Sequence, residues 1–248
     1  MPNFYQKPQD QEVLEACLDI LKDRPTYGYK RITAMINQKR VLEQKSRYNR
    51  KRIHRVMQIN RLILPRNAPD RVHTGEGKIM TLHPNTRWCS DCFEIHCFNR
   101  EKVYVGFGLD TCDREVISFV AQKTPITAKD IQGLMLTCVE TRFQSTQAPR
   151  RIQWLSDRGS IYRCRQTILV AHQMNLQSCF TSANSPESNG MAEALVKTIK
   201  RDYVYVSDCK DADTVLALLP QWFKDYNENA PHSALGMLSP KQYQSKIS

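Results

Sequence analysis

The chain has 248 residues, 41% of them hydrophobic and 25% charged, with a formal net charge of +11. That length suits one large domain or two modest ones, and the composition is that of a folded chain rather than a disordered one. No run of about 18 apolar residues exists to span a membrane, and the opening MPNFYQKPQDQEVLEA lacks the apolar stretch of a secretory signal, so a cytoplasmic protein is expected.

The first 64 residues read as short helices. Leu14, Cys17, Leu18 and Leu21 recur at helical spacing up to about Asp23. Pro25 and Gly28 break that pattern, and Ile32, Met35 and Ile36 resume it. Asn49 is placed to cap a third helix carrying Ile53, Val56, Met57 and Ile59, together with Arg50, Lys51, Arg52, Arg55 and Arg61. Residues 30–71 contain thirteen Lys and Arg against Glu43 and Asp70, a surplus of 13 − 2 = 11 that equals the charge excess of the whole chain. Three short helices with a basic third one point to a helix-turn-helix domain that lays that helix in a DNA groove. The alternative is a solvated basic face on a small bundle. Arg50, Lys51, Arg52 and Arg55 are the candidate DNA contacts.

Residues 65–86 hold three prolines and two glycines without an apolar period, as a linker does. Beyond it the pattern changes. WCSDCFEIHCF, KVYVGFGLD and REVISFVAQK are strand-like runs separated by short polar turns. An amphipathic helix follows at about 127–143, then the strand RIQWLSD, a helix at about 163–174, the short strand LQSCFT, and helices from 186 onward. Three antiparallel strands followed by alternating helix and strand predict an α/β fold with a ribonuclease H-like mixed sheet, preceded by a small all-α helix-turn-helix domain. The expected domains are therefore 1–64, a linker at 65–86, and a catalytic core with C-terminal helices over 87–248.

Nine cysteines, an odd number without a disulfide framework, suit reduced thiols. Cys89 and Cys92 have zinc-ligand spacing, but a strand points them to opposite faces and no second pair is evident, so packing is the reading for them. Three acids stand out instead. Asp91 lies inside the first strand, where an unpaired carboxylate is costly to bury. Asp157 ends a buried strand, where α/β sites form. Glu193 rides a helix for which Ser185, Pro186 and Glu187 supply N-cap, first-position and first-turn signals. Three oxygen donors without histidine or cysteine suit Mg²⁺, with Mn²⁺ able to substitute. Two such ions activate an attacking oxygen and stabilise a leaving one in phosphodiester displacement. Asp110 and Asp113 read as turn residues, Glu94 as an opposite-face residue, and Glu187 as a first-turn rival to Glu193.

Several strings then identify a family. Asp157 and Glu193 have 35 residues between them. With RWCSDCFEI, WLSDRGSIYR, SPESNGMAEALVKTIKRDY and YNENAPHSALGMLSP, the chain resembles the second-frame (OrfB) transposases of bacterial insertion sequences, whose catalytic core is like that of retroviral integrases. PTYGYKRI and NRKRIHRVMQINRLIL resemble the helix-turn-helix segment preceding that core, so the likeness runs over about residues 10–245.

The resemblance implies a DDE transposase that cleaves DNA at insertion-sequence ends and joins the 3′-hydroxyl, with Asp91, Asp157 and Glu193 binding two metal ions. It implies that Lys197 and Lys200, on one side of the helix with Glu193, touch the DNA end, against the alternative of a generic basic helix surface. The implied partners are the terminal inverted repeats, target DNA, further copies of the chain and an upstream-frame (OrfA-type) helix-turn-helix protein; the place of action is the nucleoid. His232 matches without a derivable role. Ala194 and Ala230 depart from the common Ser and Arg. The chain opens nearly at the second module, which suits either an unfused second-frame product or a trimmed piece of a fusion. Two rival activities stay open: a DNA-binding regulator that competes for element ends, and a nuclease that only hydrolyses.

Overall fold

The computed structural model describes residues 7–65, 81–181 and 189–247. Three helices open the chain: α1 (Asp10–Asp23), α2 (Tyr29–Leu42) and α3 (Arg50–Ile59). The Asn49 side chain accepts the Lys51 backbone N–H at 2.8 Å, as expected of the cap that begins α3. Val13, Cys17, Tyr27, Ile32, Ile36, Ile53, Val56 and Met57 form their core. Leu14 and Leu21 pack at its margin, whereas Leu18 is largely exposed, so the buried stripe of α1 is set one position earlier than the leucines suggest.

The second part of the chain is built on a five-stranded sheet in the order β3-β2-β1-β4-β5. Its strands are β1 (Arg87–His96), β2 (Lys102–Asp110), β3 (Val116–Gln122), β4 (Ile152–Ser156) and β5 (Leu176–Phe180). β1, β2 and β3 form an antiparallel meander, and β4 and β5 add in parallel to β1. That is the mixed sheet the element order predicts. Parallel addition needs crossovers, supplied by α4 (Ala128–Phe143) before β4 and by α5 (Ser160–Arg163) with α6 (Arg165–Gln173) before β5. α7 (Gly190–Asp202), α8 (Ala212–Glu228) and α9 (Pro240–Ile247) complete the chain.

The register of β1 against β4 is held by two buried tryptophans. Trp88 and Trp154 are ladder partners, with ring centroids 6.3 Å apart in an edge-on arrangement. Such a pair adds about 0.5–1.5 kcal/mol beyond its burial. Gly108 on β2 lies close to Trp154 and to α4, since a Cβ there would meet Cys138 Sγ of α4 at 2.6 Å and the Trp154 ring at 3.2 Å. Absence of a side chain is what lets α4 approach the sheet so closely.

The chain divides into two units, Met1–His73 with Ala230–Ser239 and Thr74–Asn229 with Pro240–Ser248. Residues 230–239, expected within the core, thus group with the helical unit. They form a closed turn, with His232 and Leu238 bridged and Gly236 in the left-handed conformation at φ 65°. Gln38 Nε2 of α2 donates to the Met237 carbonyl at 3.3 Å, a long-range tie that no sequence pattern announces. Among the described residues no helix is long and apolar enough to cross a membrane.

Candidate functional site

Asp91 stands in the middle of β1, and Asp157 directly follows the last residue of β4. Each lies three residues beyond one of the paired tryptophans, so the parallel register that joins Trp88 to Trp154 carries the two acids to the same level. A backbone N–H holds one oxygen of each carboxylate. Cys92 N donates to Asp91 Oδ1 at 2.8 Å, and Gly159 N donates to Asp157 Oδ1 at 2.9 Å. Each second oxygen, Oδ2, is left to other company.

α7 packs on β1 and brings Glu193 to the pair. The sequence signals placed the start of this helix at Ser185–Glu187, which lie outside the described residues; the described helix begins at Gly190. Glu193 is therefore itself in the first turn, where the helix dipole favours a carboxylate. Asn189 precedes the helix without capping it through its side chain.

The electrostatics tie the three acids together. Burial pushes the Asp91 carboxyl up to about 6; its hydrogen bond from Cys92 opposes this, and the charges of Asp157 and Glu193 add to it. Among the described residues no cationic side chain forms an ion pair with Asp91 or Asp157. Glu193 meets Lys197 one turn on at 3.5 Å, with both side chains largely exposed. The described residues contain no group of three or more His, Cys, Asp or Glu drawn together as tightly as a bound ion requires. What they present is two fixed carboxylates and a third on an exposed side chain, all oxygen donors suited to a hard divalent cation. The donor set fits such an ion.

Lys200 lies on the same helix, its Nζ 5.9 Å from the centre of the Phe93 ring. Phe93 is two residues from Asp91 and so on the same face of the strand. Glu94, on the other face, is occupied by Lys102 at 3.0 Å and His96 at 3.5 Å. Cys89 and Cys92 do face opposite ways, Cys92 toward the Tyr162 hydroxyl at 3.5 Å.

Asp110 and Asp113 do lie at a turn, but both are buried, which sequence reasoning missed. Asp110 accepts from Asn85 N at 2.6 Å, Trp88 Nε1 at 3.2 Å and Cys112 N at 2.8 Å. Arg142 lies 3.1 Å from Asp113 and 2.8 Å from Glu115, and Lys241 also pairs with Glu115. A turn of short polar residues gives no local sign that it is internal.

In the helical unit the four candidate DNA contacts divide. Arg50 and Lys51 are exposed. Arg52 Nε and Arg55 Nη2 both bind Asp10, at 2.9 and 2.5 Å, and are mostly buried.

Comparison with known proteins settles the family. Residues 81–186 and 174–240 match family models described as an integrase core domain, and residues 8–69 match an HTH-like domain. A curated transposase, InsD of insertion element IS2A/D/F/H/I/K from Escherichia coli, is 39% identical over 238 residues, 94% of this chain and 78% of that protein. InsD of element IS2-9, from strain K12, is likewise 39% identical over 94% of this chain and 77% of its own length. The chain belongs to the insertion-element transposases. As a member it is a DNA-binding polynucleotidyl transferase of the DDE type, and its core supports use of a divalent metal. The fold is also that of a solved simian T-cell lymphotropic virus intasome chain, at a TM-score of 0.53 and 14% identity, over 92% of this chain and 73% of that one.

Proposed function

We propose that Asp91, Asp157 and Glu193 are the catalytic triad of this transposase and together hold two Mg²⁺ ions, for which Mn²⁺ substitutes. The observation that carries the reading is the half-buried Asp91 carboxyl beside the other two acids: burial first, then the charges of Asp157 and Glu193, hold its proton to higher pH than usual, and among the described residues no side chain forms an ion pair with it. Divalent ions at such a site supply activation of the attacking oxygen and charge stabilisation of the leaving one.

The chain's own contribution is geometric. The Cys92 and Gly159 N–H groups orient two carboxylates with one oxygen of each still available. Glu193 reaches in from a helix that packs on the same strand. Lys197 and Lys200, one and two turns further on, meet the phosphates of the DNA end. In cleavage a water oxygen forms the new P–O bond as the bond to the 3′-oxygen breaks. In joining, that freed 3′-hydroxyl attacks a target phosphate and the target strand's own 3′-oxygen leaves, so this step makes one phosphodiester for the one it breaks.

Residues 1–64 serve as the DNA-binding domain and 87–248 as the core, with 230–239 as its return to the helical unit. Terminal inverted repeats and target DNA are the substrates. Joining two ends calls for more than one copy of the chain, and an OrfA-type helix-turn-helix protein from an upstream frame completes end recognition. The reaction takes place on DNA in the bacterial cytoplasm.

The test is Asp157→Asn and Glu193→Gln in Mg²⁺-dependent cleavage and joining of end-containing DNA. Loss of several kcal/mol of transition-state stabilisation corresponds to about 10³-fold in rate. Cleavage and joining at near wild-type rates in either variant sinks the assignment; cleavage without any joined product points instead to a hydrolytic nuclease.

A further inference from the structure

Ser90, the residue before Asp91, is fully buried and makes two contacts that reach the segments beside the other two acids. Its hydroxyl lies 2.9 Å from the Tyr162 hydroxyl. Tyr162 belongs to α5, five residues after Asp157. The same hydroxyl is 3.5 Å from Cys92 Sγ, so Tyr162 grips the residues on either side of Asp91 from the opposite face of the strand. The Ser90 carbonyl accepts from Asn189 Nδ2 at 3.4 Å. Asn189 is buried, stands at the head of α7, and is four residues before Glu193.

We infer that Ser90, Tyr162 and Asn189 are positioning residues that set the distances among the three carboxylates. The ladder from β1 to β4 is paired only as far as Cys89 and Leu155. Past that point backbone pairing no longer locks Asp91 to Asp157, and the Tyr162–Ser90 link takes over. α7 packs on β1, and the Asn189–Ser90 link adds a directional polar tie at the head of the helix, four residues before Glu193. Leaving a buried hydroxyl or amide without its partner costs free energy, so the 2.9 Å Tyr162–Ser90 link resists opening, and the longer 3.4 Å Asn189–Ser90 link is the softer of the two. Partners of this kind, one step behind the metal ligands, typically change metal affinity by about 10–100-fold when removed.

This inference rests on the triad reading, and the experiment separates the two. Mn²⁺ alone is titrated into the full chain and followed by electron paramagnetic resonance, alongside thermal unfolding without metal. Tyr162→Phe and Ser90→Ala weaken Mn²⁺ binding about tenfold or more, and Ser90→Thr, which keeps a hydroxyl, restores most of it. If both hydroxyl-deleting variants bind Mn²⁺ within about twofold of wild type while Asp157→Asn does not, the positioning role is overturned and the triad stands, whatever happens to the melting temperature. If Asp157→Asn binds as tightly as wild type, both readings fall. Asn189→Ala provides an independent arm for α7. It too weakens Mn²⁺ binding, and unchanged affinity in that variant removes Asn189 from the set.

Discussion

Two groups of acids gather around the same sheet, and the protein treats them in opposite ways. Asp110, Asp113 and Glu115 are buried and are met by Arg142, by Lys241 and by the Gln244 amide at 2.8 and 2.7 Å. Asp91 and Asp157 have backbone N–H groups and each other, and Glu193 has an exposed lysine one turn away. Charge that a fold neutralises with its own cations is architecture. Charge that it assembles and leaves unneutralised raises the free energy of the metal-free protein, and a bound cation lowers it.

The sharpest way to break this contrast is to remove the cation from the first group. Arg142→Met leaves three buried carboxylates facing each other, with Lys241 on Glu115 as the cation still paired with them among the described residues. Breaking one side of a buried ion pair costs about 3–5 kcal/mol, and urea unfolding of the variant should show a loss of that size. A loss below about 1 kcal/mol would mean the cluster is not held by Arg142 and behaves as a surface pair does.

The second group answers to pH and to neutralisation with the other sign. Burial first, then Asp157 and Glu193, push Asp91 up to about 6 from an ordinary 3.8. Between those values the folded state binds more protons than the unfolded one, so its contribution is fully present below about 3.8 and is lost as pH rises through about 6. Asp91→Asn keeps an oxygen for the Cys92 N–H and removes the charge. The metal-free variant should therefore be more stable than wild type above pH 6, by on the order of 1 kcal/mol after allowance for solvent reach, and the gain should vanish near pH 4. Melting curves in chelator across that range check it. A variant less stable than wild type at pH 8 would place Asp91 with the architectural acids.

How much of this was legible beforehand follows from which contacts are local. Strand and helix periods exposed the sheet, and Asp91 and Asp157 could be placed because a strand's interior and end are visible in the pattern of neighbours. The internal nature of Asp113 was not legible, because Arg142 and Gln244 come from helices 29 and 131 residues away. Asn189 and Tyr162 lay inside strings that already looked distinctive, yet their role depends on Ser90 across the fold, 99 and 72 residues off. The helix carrying Glu193 was readable as a helix. Its start, signalled at Ser185–Glu187, falls outside the described residues; within them, the Asn189 side chain at the head of α7 goes to the Ser90 carbonyl, a contact no local pattern announces.

The same contrast recurs, at smaller scale, on the basic third helix. Burial raises the Asp10 carboxyl, but the Lys7 backbone N–H, the Arg52 hydrogen bond and the two guanidinium charges outweigh it and hold it below its usual value. Arg52 and Arg55 therefore tie α3 to the start of α1, whereas Arg50 and Lys51 face solvent. If unneutralised charge is what meets a ligand, Lys51→Ala should weaken binding to DNA of any sequence and lower the slope of log affinity against log salt by about 1, with stability changed by less than about 0.5 kcal/mol. Arg52→Ala should do the reverse, costing stability through the loss of the Asp10 tie and of its 2.8 Å bond to the Gln9 carbonyl, while leaving the salt slope nearly as it was. Salt-titrated DNA binding and thermal unfolding of the two variants decide it. A full unit lost from the slope in Arg52→Ala means that Asp10 gives up that arginine when DNA arrives, and neutralisation within the fold would then be a poor guide to which charges the ligand uses.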